Sequence, residues 1–288
     1  MDLNSDGYPD ILSGSYSRMD GPMAGLFQVL WGEAGGKFKP ADVLNGTDHK
    51  PLIIPIPSEK DLIEKICTRP TAVDWNGDGK LDLVVGNFAG SFYLFVGQGK
   101  GKFAPKPEPL MAGVERLKIE GHHSDPVVVD FDGDGDLDLL SGTDMGGVQW
   151  AENVAGPGKK PVLKQFTALI KPGPSLEQGQ LLSEGDLTGP MSSTRIWVDD
   201  VDGDGKLDIL VGDCVTLISL RKGVSKQEYT QKFAKWKTAL GVAANAMQGV
   251  NGSTPSEAAQ KRYREVYEQR NEFMNEERTG FVWLYRRK

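Results

Sequence analysis

Short apolar runs alternate with polar, glycine-rich segments along most of the chain. Four runs that end in glycine follow acidic segments, at residues 11–14, 83–86, 139–142 and 209–212. Further runs lie after them, at 25–31, 91–96 and 147–150, and before the acidic segments, at 70–73, 126–129 and 196–198. Runs of this length between turn residues are typical of buried β-strands. Weaker fourth strands are predicted at residues 37–40 and 102–105.

The last unit is interrupted, because no apolar run follows residue 212 promptly and its counterpart stands at residues 280–285. The intervening segment has apolar residues at helical spacing and two capping boxes, which begin at Ser225 and Thr254, the second with Pro255 at the first helical position. We therefore predict a helical hairpin over residues 223–279, with its turn at 248–253. The domains predicted from this pattern are 1–222, 223–279 and 280–288.

Each unit has the order strand, acidic loop, strand, turn, strand, turn, strand. Four antiparallel strands in roughly 55–70 residues make one blade of a β-propeller. The sequence thus predicts an all-β fold, a propeller of four recognisable four-stranded antiparallel blades with a helical hairpin inserted in the last. Only Met1 precedes the first acidic loop, so the first blade lacks its first strand, and we expect an N-terminal portion to be missing. The alternative is that the C-terminal strand closes the ring.

The acidic segments are four copies of one nine-residue motif, Asp-x-(Asp/Asn)-x-Asp-Gly-x-x-Asp. Oxygen donors at positions 1, 3, 5 and 9, a turn-forming glycine at 6 and the carbonyl of 7 make an oxygen-only cage, which suits Ca²⁺ and not Zn²⁺. The predicted side-chain ligands are Asp2, Asn4, Asp6, Asp10, Asp74, Asn76, Asp78, Asp82, Asp130, Asp132, Asp134, Asp138, Asp200, Asp202, Asp204 and Asp208. The predicted carbonyl ligands are Tyr8, Lys80, Asp136 and Lys206.

A similar acidic pattern can belong to an EF-hand or to a metal-free turn. An EF-hand requires a glutamate at position 12 and flanking helices, whereas position 12 here is Ser13, Val85, Ser141 or Val211 and the following residues are strand-like. A single copy of the motif, taken alone, would be explained by a solvated Asp-Gly turn without metal. Four copies with the same carboxylate pattern favour a cation, because the clustered carboxylates would otherwise repel one another.

Composition and charge narrow the function further. The chain has 288 residues, 39% hydrophobic and 25% charged, which excludes a disordered or fibrous protein. Its net charge of −7 argues against nucleic acid as a partner, although 14 of the 40 acidic residues are predicted to bind Ca²⁺ through their side chains. No apolar run approaches ~20 residues, so no membrane insertion is expected. Cys67 and Cys214 allow one disulfide or two free thiols.

The motif and the glycine-terminated strand after it resemble the FG-GAP/VCBS repeat, which forms integrin-α-like β-propellers with Ca²⁺ between the first two strands of a blade. The resemblance covers residues 2–222 and 280–288. It departs from the family pattern in the missing first strand, in degenerate Phe-Gly and Gly-Ala-Pro signatures and in the helical insertion. The family includes adhesion proteins, lectins and propellers of carbohydrate-active enzymes, so the resemblance implies a scaffold rather than one activity.

The face opposite the Ca²⁺ loops collects polar residues on turns and at strand starts. The candidate ligand-face residues are Arg69, His122, His123, Arg195, Asp144 and Asp213. The same face is expected to carry Tyr16, Ser17, Arg18, Asn87, Phe88 and Met145. The alternatives left open are that the arginines pair with nearby aspartates and that the histidines bond a strand start. Core packing is expected for Trp75, Trp150, Trp197 and Trp283.

The function predicted from these observations is a secreted Ca²⁺-binding propeller that binds a carbohydrate or an extracellular protein, as an adhesion module does. Its location would be extracellular, cell-surface or periplasmic, since such loops fill at the Ca²⁺ levels found outside cells. A signal peptide is absent from residue 1 onward, and we expect it to have been lost with the N-terminal portion. Further N-terminal blades or weak self-association are expected as partners.

Two alternatives to this function remain. One is a carbohydrate-active lyase or dehydratase that uses His122 or His123 with Arg195 and a metal on the insertion-bearing face. The other is a purely structural module of a larger secreted protein. Convergence of histidine, arginine and aspartate in one pocket would favour the enzyme.

Overall fold

The computed structural model describes residues 1–15, 24–247 and 255–288. The turn predicted at 248–253 and Thr254 lie outside these ranges. The described residues form mostly antiparallel sheets and two α-helices, as the sequence predicts. They divide into two compact units. The first comprises Met1–Gly173, Gly189–Cys214 and Phe281–Lys288, and the second Pro174–Thr188 and Val215–Gly280.

The first sheet has three strands in the described residues, in the order β1-β2-β5. Its strands and the hairpin between them are β1 (Ile11–Ser13), β2 (Gln28–Leu30), β3 (Gly32–Glu33), β4 (Lys37–Phe38) and β5 (Asp42–Val43). Strand β1 pairs with β2 from Ile11 opposite Leu30 to Ser13 opposite Gln28. The short strands β3 and β4 pair only with each other.

The second and third sheets each have four antiparallel strands. The second contains β6 (Arg69–Val73), β7 (Asp82–Gly86) and β8 (Phe92–Phe95), followed by the hairpin of β9 (Gly97–Gly99) and β10 (Lys102–Phe103) and by the outer strand β11 (Glu108–Pro109). A hairpin of β12 (Met111–Ala112) and β13 (Glu115–Arg116) leads to the third sheet. That sheet contains β14 (Asp125–Val129), β15 (Asp138–Gly142), β16 (Val148–Ala151) and β17 (Thr167–Ile170), in chain order.

The fourth sheet is built from distant parts of the chain. Its strands are β18 (Ser192–Asp199), the 13-residue β19 (Asp208–Leu220), β20 (Met274–Thr279) and β21 (Val282–Tyr285). The first half of β19 pairs with β18 and β21, while its second half pairs with β20. The C-terminal strand therefore completes the sheet that begins with β18, as the match between residues 280–285 and 90–95 predicts.

The predicted fourth strands at residues 37–40 and 102–105 are wrong. Lys37–Phe38 and Lys102–Phe103 lie in separate two-stranded hairpins, and the outer strands are β5 and β11. The chain leaves the second sheet at Gly97 because its N–H donates to the buried Asp82 carboxylate at 2.6 Å, which stops the pairing of β8 with β7. Gly32 donates to Asp10 in the same way, at 2.8 Å.

Within the first unit, successive sheets pack face to face through three hydrophobic clusters. The first cluster joins Phe27 and Val29 to Leu83 and Val85, and the second joins Val84 to Leu139. The third joins the third sheet to Ile196, Val198, Ile209 and Val211 of the fourth. Because neighbouring residues of a strand point to opposite faces, each inner sheet contributes to two clusters. Among the described residues, no hydrophobic cluster joins the fourth sheet to the first.

Three buried hydroxyls join each sheet to the next at the end remote from the acidic loops. Thr68, Ser124 and Thr194 each stand six residues before a motif. Their side-chain oxygens accept from the N–H groups of Ser15, Asn87 and Thr143, at 3.0, 2.8 and 2.9 Å. The glycine that ends each preceding strand allows this approach: a Cβ on Gly142 would collide with the carbonyl oxygen of Thr194.

The second unit contains the two helices, α1 (Lys226–Met247) and α2 (Glu257–Glu268). The hydroxyl of Ser225 accepts from the N–H of Glu228 at 3.2 Å, which caps α1 as predicted. The start predicted for α2 is wrong, because the cap is Ser256 rather than Thr254: its hydroxyl accepts from the N–H of Ala259. The core of this unit contains Tyr229, Trp236, Ala243, Val266, Phe273 and Met274.

The second unit is larger than the segment 223–279, since it also includes strand pairing from Val215 onward and residues 174–188. Leu182 in that added segment bridges to Ile218 of β19. In the described part of the chain, no helix has the length and apolar character needed to cross a membrane.

Candidate calcium loops and the opposite ends of the sheets

The acidic loops lie at one end of the sheets. Three of them connect the first strand of a sheet to the second, as β6 to β7, β14 to β15 and β18 to β19. The remaining loop precedes β1. Equivalent positions of the motif therefore recur at equivalent places in four sheets.

The aspartate at position 1 organises each loop. In the second loop, Asp74 accepts from the N–H groups of Asp78 at 3.0 Å and Gly79 at 2.9 Å. The glycine at position 6 donates to the same carboxylate in the other loops, at 2.8, 3.0 and 2.9 Å. Gly79 adopts φ +82°, a left-handed conformation that favours glycine. The motif thus folds around its first carboxylate.

Carboxylates at positions 1, 3 and 5 converge in the last two loops. In each of the triplets Asp130, Asp132, Asp134 and Asp200, Asp202, Asp204, one oxygen per residue lies within 4.8 Å of the others. The first two loops carry Asn4 and Asn76 at position 3, whose amide oxygens accept from the N–H of position 5 at 3.0 and 2.9 Å. These side chains point into turns that solvent reaches.

The aspartate at position 9 is buried in every loop. Asp82 accepts from the N–H of Trp75 at position 2, at 3.1 Å, and from that of Gly97 beyond the third strand. Asp10 and Asp138 make the same two bonds. This carboxylate therefore ties the start of the loop to the end of a neighbouring strand, a structural role that the motif alone does not indicate. Its role as a metal ligand stays a prediction.

The fourth loop differs at this position. Asp208 accepts from the N–H of Arg287 at 3.0 Å, and its buried Oδ2 has no hydrogen-bond partner among the described residues. Oδ1 of Asp136, at position 7 of the third loop, is also buried without such a partner. A buried, unpartnered carboxylate oxygen is costly unless a cation or a donor faces it.

The electrostatics of the loops favour a cation. Burial raises the pKa of Asp138 to about 6, and the nearby negative charge of Asp132 adds to this effect. Burial also raises the pKa of Asp136, with Asp134, Asp132 and Asp130 acting in the same direction. A bound divalent cation would reverse both effects by stabilising the ionised carboxylates. The donor set is oxygen throughout, which fits Ca²⁺.

At the opposite end, two arginines share one aspartate. Nε of Arg69 lies 3.6 Å from Oδ1 of Asp125, and Nε of Arg195 lies 3.7 Å from its Oδ2. All three residues stand five positions before the first aspartate of their motifs. The repeat therefore brings equivalent positions of three sheets together. The arginines pair with a nearby aspartate, which is the alternative the sequence left open.

The two histidines lie beside this triad. Nδ1 of His122 is 3.5 Å from Oδ2 of Asp144. The ring of His123 packs edge-on against Phe88 with centroids 4.4 Å apart, and its carbonyl accepts from Arg69. Burial lowers the pKa of His123, and the positive charge of Arg69 lowers it further.

Other residues predicted on the ligand face either form hydrogen bonds within the fold or lie outside the described residues. Asp213 accepts from the N–H groups of Met191 and Phe281, both at 2.8 Å. Asn87 is buried and donates to Glu64 and Ser91. A cavity of about 330 Å³ beside Arg69 is lined by Leu12, Ser13, Gly14, Ser15, Cys67, Thr68 and Pro70, with no histidine among these described residues. Tyr16, Ser17 and Arg18 lie outside the described residues.

The structure shows whether the two cysteines are bonded and which of the predicted core tryptophans are buried. No disulfide joins Cys67 to Cys214 in the described residues, and burial raises the pKa of the Cys67 thiol. Trp75 is buried, and Trp150 and Trp283 are partly buried against the core of the first unit. The prediction for Trp197 is wrong, because this residue is 62% exposed on β18. It faces away from the third cluster, where no further sheet covers it among the described residues.

Comparison with known proteins gives one result. A family model described as FG-GAP-like repeat matches residues 74–141 and 130–211, each match including two successive motifs. A search of curated proteins found no match. The matched residues contain the second to fourth acidic loops together with the strands that follow them. Residues 74–211 of this chain are therefore similar to FG-GAP-like repeats.

Proposed function

We propose that this chain is a calcium-binding β-propeller segment that serves outside the cytosol as a binding module for a carbohydrate or a protein. The observation that carries the proposal is the recurrence of one loop geometry at the same end of four sheets. FG-GAP-like repeats suggest a propeller-like module of this kind, often adhesion-related. The sheets would be blades arranged about an axis, since each inner sheet packs on its neighbours through both faces.

Ca²⁺ would be held by the side-chain oxygens of positions 1, 3, 5 and 9 and by the carbonyl of position 7. The converged triplets of the third and fourth loops and the unpartnered Oδ2 of Asp208 support this assignment. When bound, the ion would neutralise carboxylates that otherwise repel one another and would hold the connection between the first two strands of each blade. Its role would be structural, and the ligand would bind elsewhere on the scaffold.

The extracellular location rests on the same loops and on the repeat family. We expect these exposed loops, which lack a bidentate glutamate at position 12, to bind Ca²⁺ with the weak affinity of extracellular modules. FG-GAP repeats are typically extracellular. A rigid scaffold that presents loops at both ends of its strands is a common support for recognition.

Chelation tests the proposal directly. We expect removal of Ca²⁺ with EDTA to lower the Tm of the full chain by several degrees, measured by calorimetry after elemental analysis of the starting metal. A ligand that binds only the folded state stabilises it by about 2.7 kcal/mol per site at a hundredfold excess over Kd. The same melting curve with Ca²⁺ and with EDTA would contradict the proposal.

A loop variant separates metal binding from turn structure. Asp204→Ala removes a carboxylate from the triplet of the fourth loop, so we expect it to lower stability in Ca²⁺ and to have a smaller effect in EDTA. The control is Asp199→Ala, which changes an exposed aspartate just outside the motif. Its effect should be the same in both conditions. Equal losses for Asp204→Ala in Ca²⁺ and EDTA would identify the loop as a metal-free turn.

A further inference from the structure

A cavity of about 450 Å³ lies on the side of the first unit that carries the acidic loops, between the first and second sheets. It is bounded by Trp31 at the end of β2, by the segment that follows β5 and by the turn between β9 and β10. Asn4, the third residue of the first loop, forms part of its wall. None of the described residues assigned to the opposite face takes part in it.

The indole of Trp31 is fixed in this wall. Trp31 is half-buried against the cluster between the first two sheets, and its carbonyl accepts from the N–H of Lys39 at 2.9 Å. On its other side, a Cβ added to Gly101 would stand 2.8 Å from Cη2 of the indole and 3.5 Å from Cβ of Asn4. An aromatic ring held by packing is a suitable platform for a flat ligand, because it loses little freedom on binding.

The cavity is positively charged in an acidic protein. Among the described residues that line it, Lys39, Lys100 and Lys102 face one carboxylate-bearing residue, Asp42. Throughout the described part of the chain, no ion pair joins any of these lysines to an acid. Unpaired cations that line a concave wall attract an anionic group more strongly than the same charges on a flat surface.

The turn that presents Lys100 is strained. Lys100 and Gly101 occupy a two-residue turn between β9 and β10, both with positive φ, of 53° and 69°. A type I′ turn of this kind favours Asn-Gly, and a lysine in the left-handed region costs roughly 1–2 kcal/mol. Residues held in costly backbone conformations cluster at functional sites.

Polar residues complete the cavity. Asn45, Thr47 and His49 line it, and the N–H of Thr47 donates to the carbonyl of Phe103 at 3.0 Å, which fixes this segment to β10. Amides and hydroxyls around an aromatic ring match the vicinal hydroxyls and apolar C–H face of a sugar. The added lysines match a carboxylate or sulfate on that sugar.

We propose that this cavity binds an anionic saccharide, with Trp31 stacking on a sugar ring and the three lysines contacting its carboxylate or sulfate. The inference deepens the proposed function and rests on it, since it names the ligand class and the site. An acidic peptide has charge but lacks the hydroxyl-bearing ring that the indole, amides and hydroxyl would contact.

The test is isothermal titration calorimetry of the full chain in Ca²⁺ with three tetrasaccharides. Hyaluronan tetrasaccharide supplies carboxylates, chondroitin sulfate tetrasaccharide adds sulfate, and chitotetraose is neutral. We expect at least one anionic saccharide to bind about tenfold or more tightly than chitotetraose, and added salt to reduce the difference. Equal binding of chitotetraose, or no binding of either anionic saccharide, would overturn the proposal. So would equal or tighter binding of a tetraglutamate peptide.

Variants then locate the site. Trp31→Ala and the double variant Lys39→Gln/Lys102→Gln should each weaken binding about tenfold, while Lys37→Gln, an exposed lysine on β4, should change it less than twofold. Lys39 and Lys102 are exposed, so their replacement should leave the fold intact. The double variant therefore still tests the site if Trp31→Ala does not fold. A saccharide or protein ligand that binds the chain and both cavity variants equally would overturn this site but leave the proposed function intact. If the natural chain melted at the same temperature in Ca²⁺ and in EDTA, the result would instead count against the proposed function.

Discussion

At the scale of single residues, much of the first unit depends on groups that repeat with the motif. The hydroxyl of Thr194 accepts from the N–H of Thr143 and donates to the carbonyl of Gly147 at 2.8 Å, all in a buried position. Thr68 and Ser124 occupy the equivalent places before their own strands. Each of these residues satisfies backbone groups where two sheets meet, and burial makes any loss there costly.

Replacement of one hydroxyl tests this role. Thr194→Val keeps the shape of the side chain but leaves the buried N–H of Thr143 without its acceptor, so we expect a loss of about 1–3 kcal/mol in the free energy of unfolding. Urea denaturation measures it. Thr167→Val, on the exposed strand β17, is the control and should change stability by less than about 0.5 kcal/mol. Equal small effects would mean that the hydroxyl does not join the sheets.

The burial of His123 predicts a pH dependence. Its folded-state pKa lies below the usual 6.5, mainly because burial disfavours the imidazolium. The unfolded chain therefore takes up the proton first as the pH falls, so this residue's contribution to stability is complete above pH 6.5 and is lost as the pH falls through 6.5 toward the lowered pKa.

The variant His123→Asn isolates that contribution. Asparagine tolerates the left-handed backbone found at this position, φ 61°, and does not titrate. We expect the decrease in unfolding free energy between pH 7.5 and 5.5 to be smaller in the variant than in the natural chain. His122→Asn is the control, and an identical decrease in the natural chain and in His123→Asn would contradict the assignment.

At the scale of elements, position 9 of the motif decides where a strand ends. Asp82 binds the N–H groups of Trp75 and Gly97, so the acidic loop, the second strand and the end of β8 form one hydrogen-bonded unit. A Cβ on Gly97 would collide with the carbonyl oxygen of Leu81, which accounts for the glycine there. The residues after it form the β9–β10 hairpin outside the sheet.

Two aspartates of the second loop should respond differently to substitution. Asp82→Ala leaves two buried N–H groups without acceptors, so we expect a loss of at least about 2 kcal/mol in both Ca²⁺ and EDTA. Asp78→Ala removes an exposed candidate ligand, and its loss should be confined to Ca²⁺. Thermal melts of both variants in both conditions make the comparison. If Asp82→Ala were harmless in EDTA, its role would be metal binding alone.

At the scale of the whole molecule, the sheets of the first unit form a series in which two outer faces are uncovered by any other described sheet. On the fourth sheet, Leu210 of β19 pairs with Trp197 of β18 on one side and with Leu284 of β21 on the other. Val282, also on β21, is 73% exposed. The equivalent face of the second sheet, with Val84, is buried against the third. On the first sheet, Ile11 is exposed on the corresponding outer face. Uncovered apolar faces of this kind favour association.

Self-association should therefore depend on the uncovered face of the fourth sheet, which carries Trp197. We expect sedimentation velocity to show weak association that increases with concentration, and Trp197→Lys to reduce it because a charge cannot be buried against a second apolar face. Val114→Lys, at a 94% exposed position in the β12–β13 turn, is the control. A strict monomer at every concentration, or equal association of both variants, would contradict this expectation.

Several features of the protein were determined by the sequence itself. The four motifs, the strands after them and the return of residues 280–285 to the fourth sheet follow from local patterns, because each motif folds around its own first aspartate and each strand is marked by its apolar run. The glycine that ends each of these strands recurs in all four units, and a hydroxyl six residues before the motif recurs in the last three. The junctions between sheets are therefore also marked in the sequence.

Only the tertiary structure decided the rest, because it depends on which distant groups meet. The outer strands β5 and β11 replaced the predicted ones since a buried carboxylate ends the preceding strand. Arg69, Asp125 and Arg195 came together because equivalent positions of successive sheets lie side by side. Trp197 proved exposed since no neighbouring sheet covers it among the described residues, and Trp31 proved to line a cavity because a turn 70 residues further along the chain packs against it.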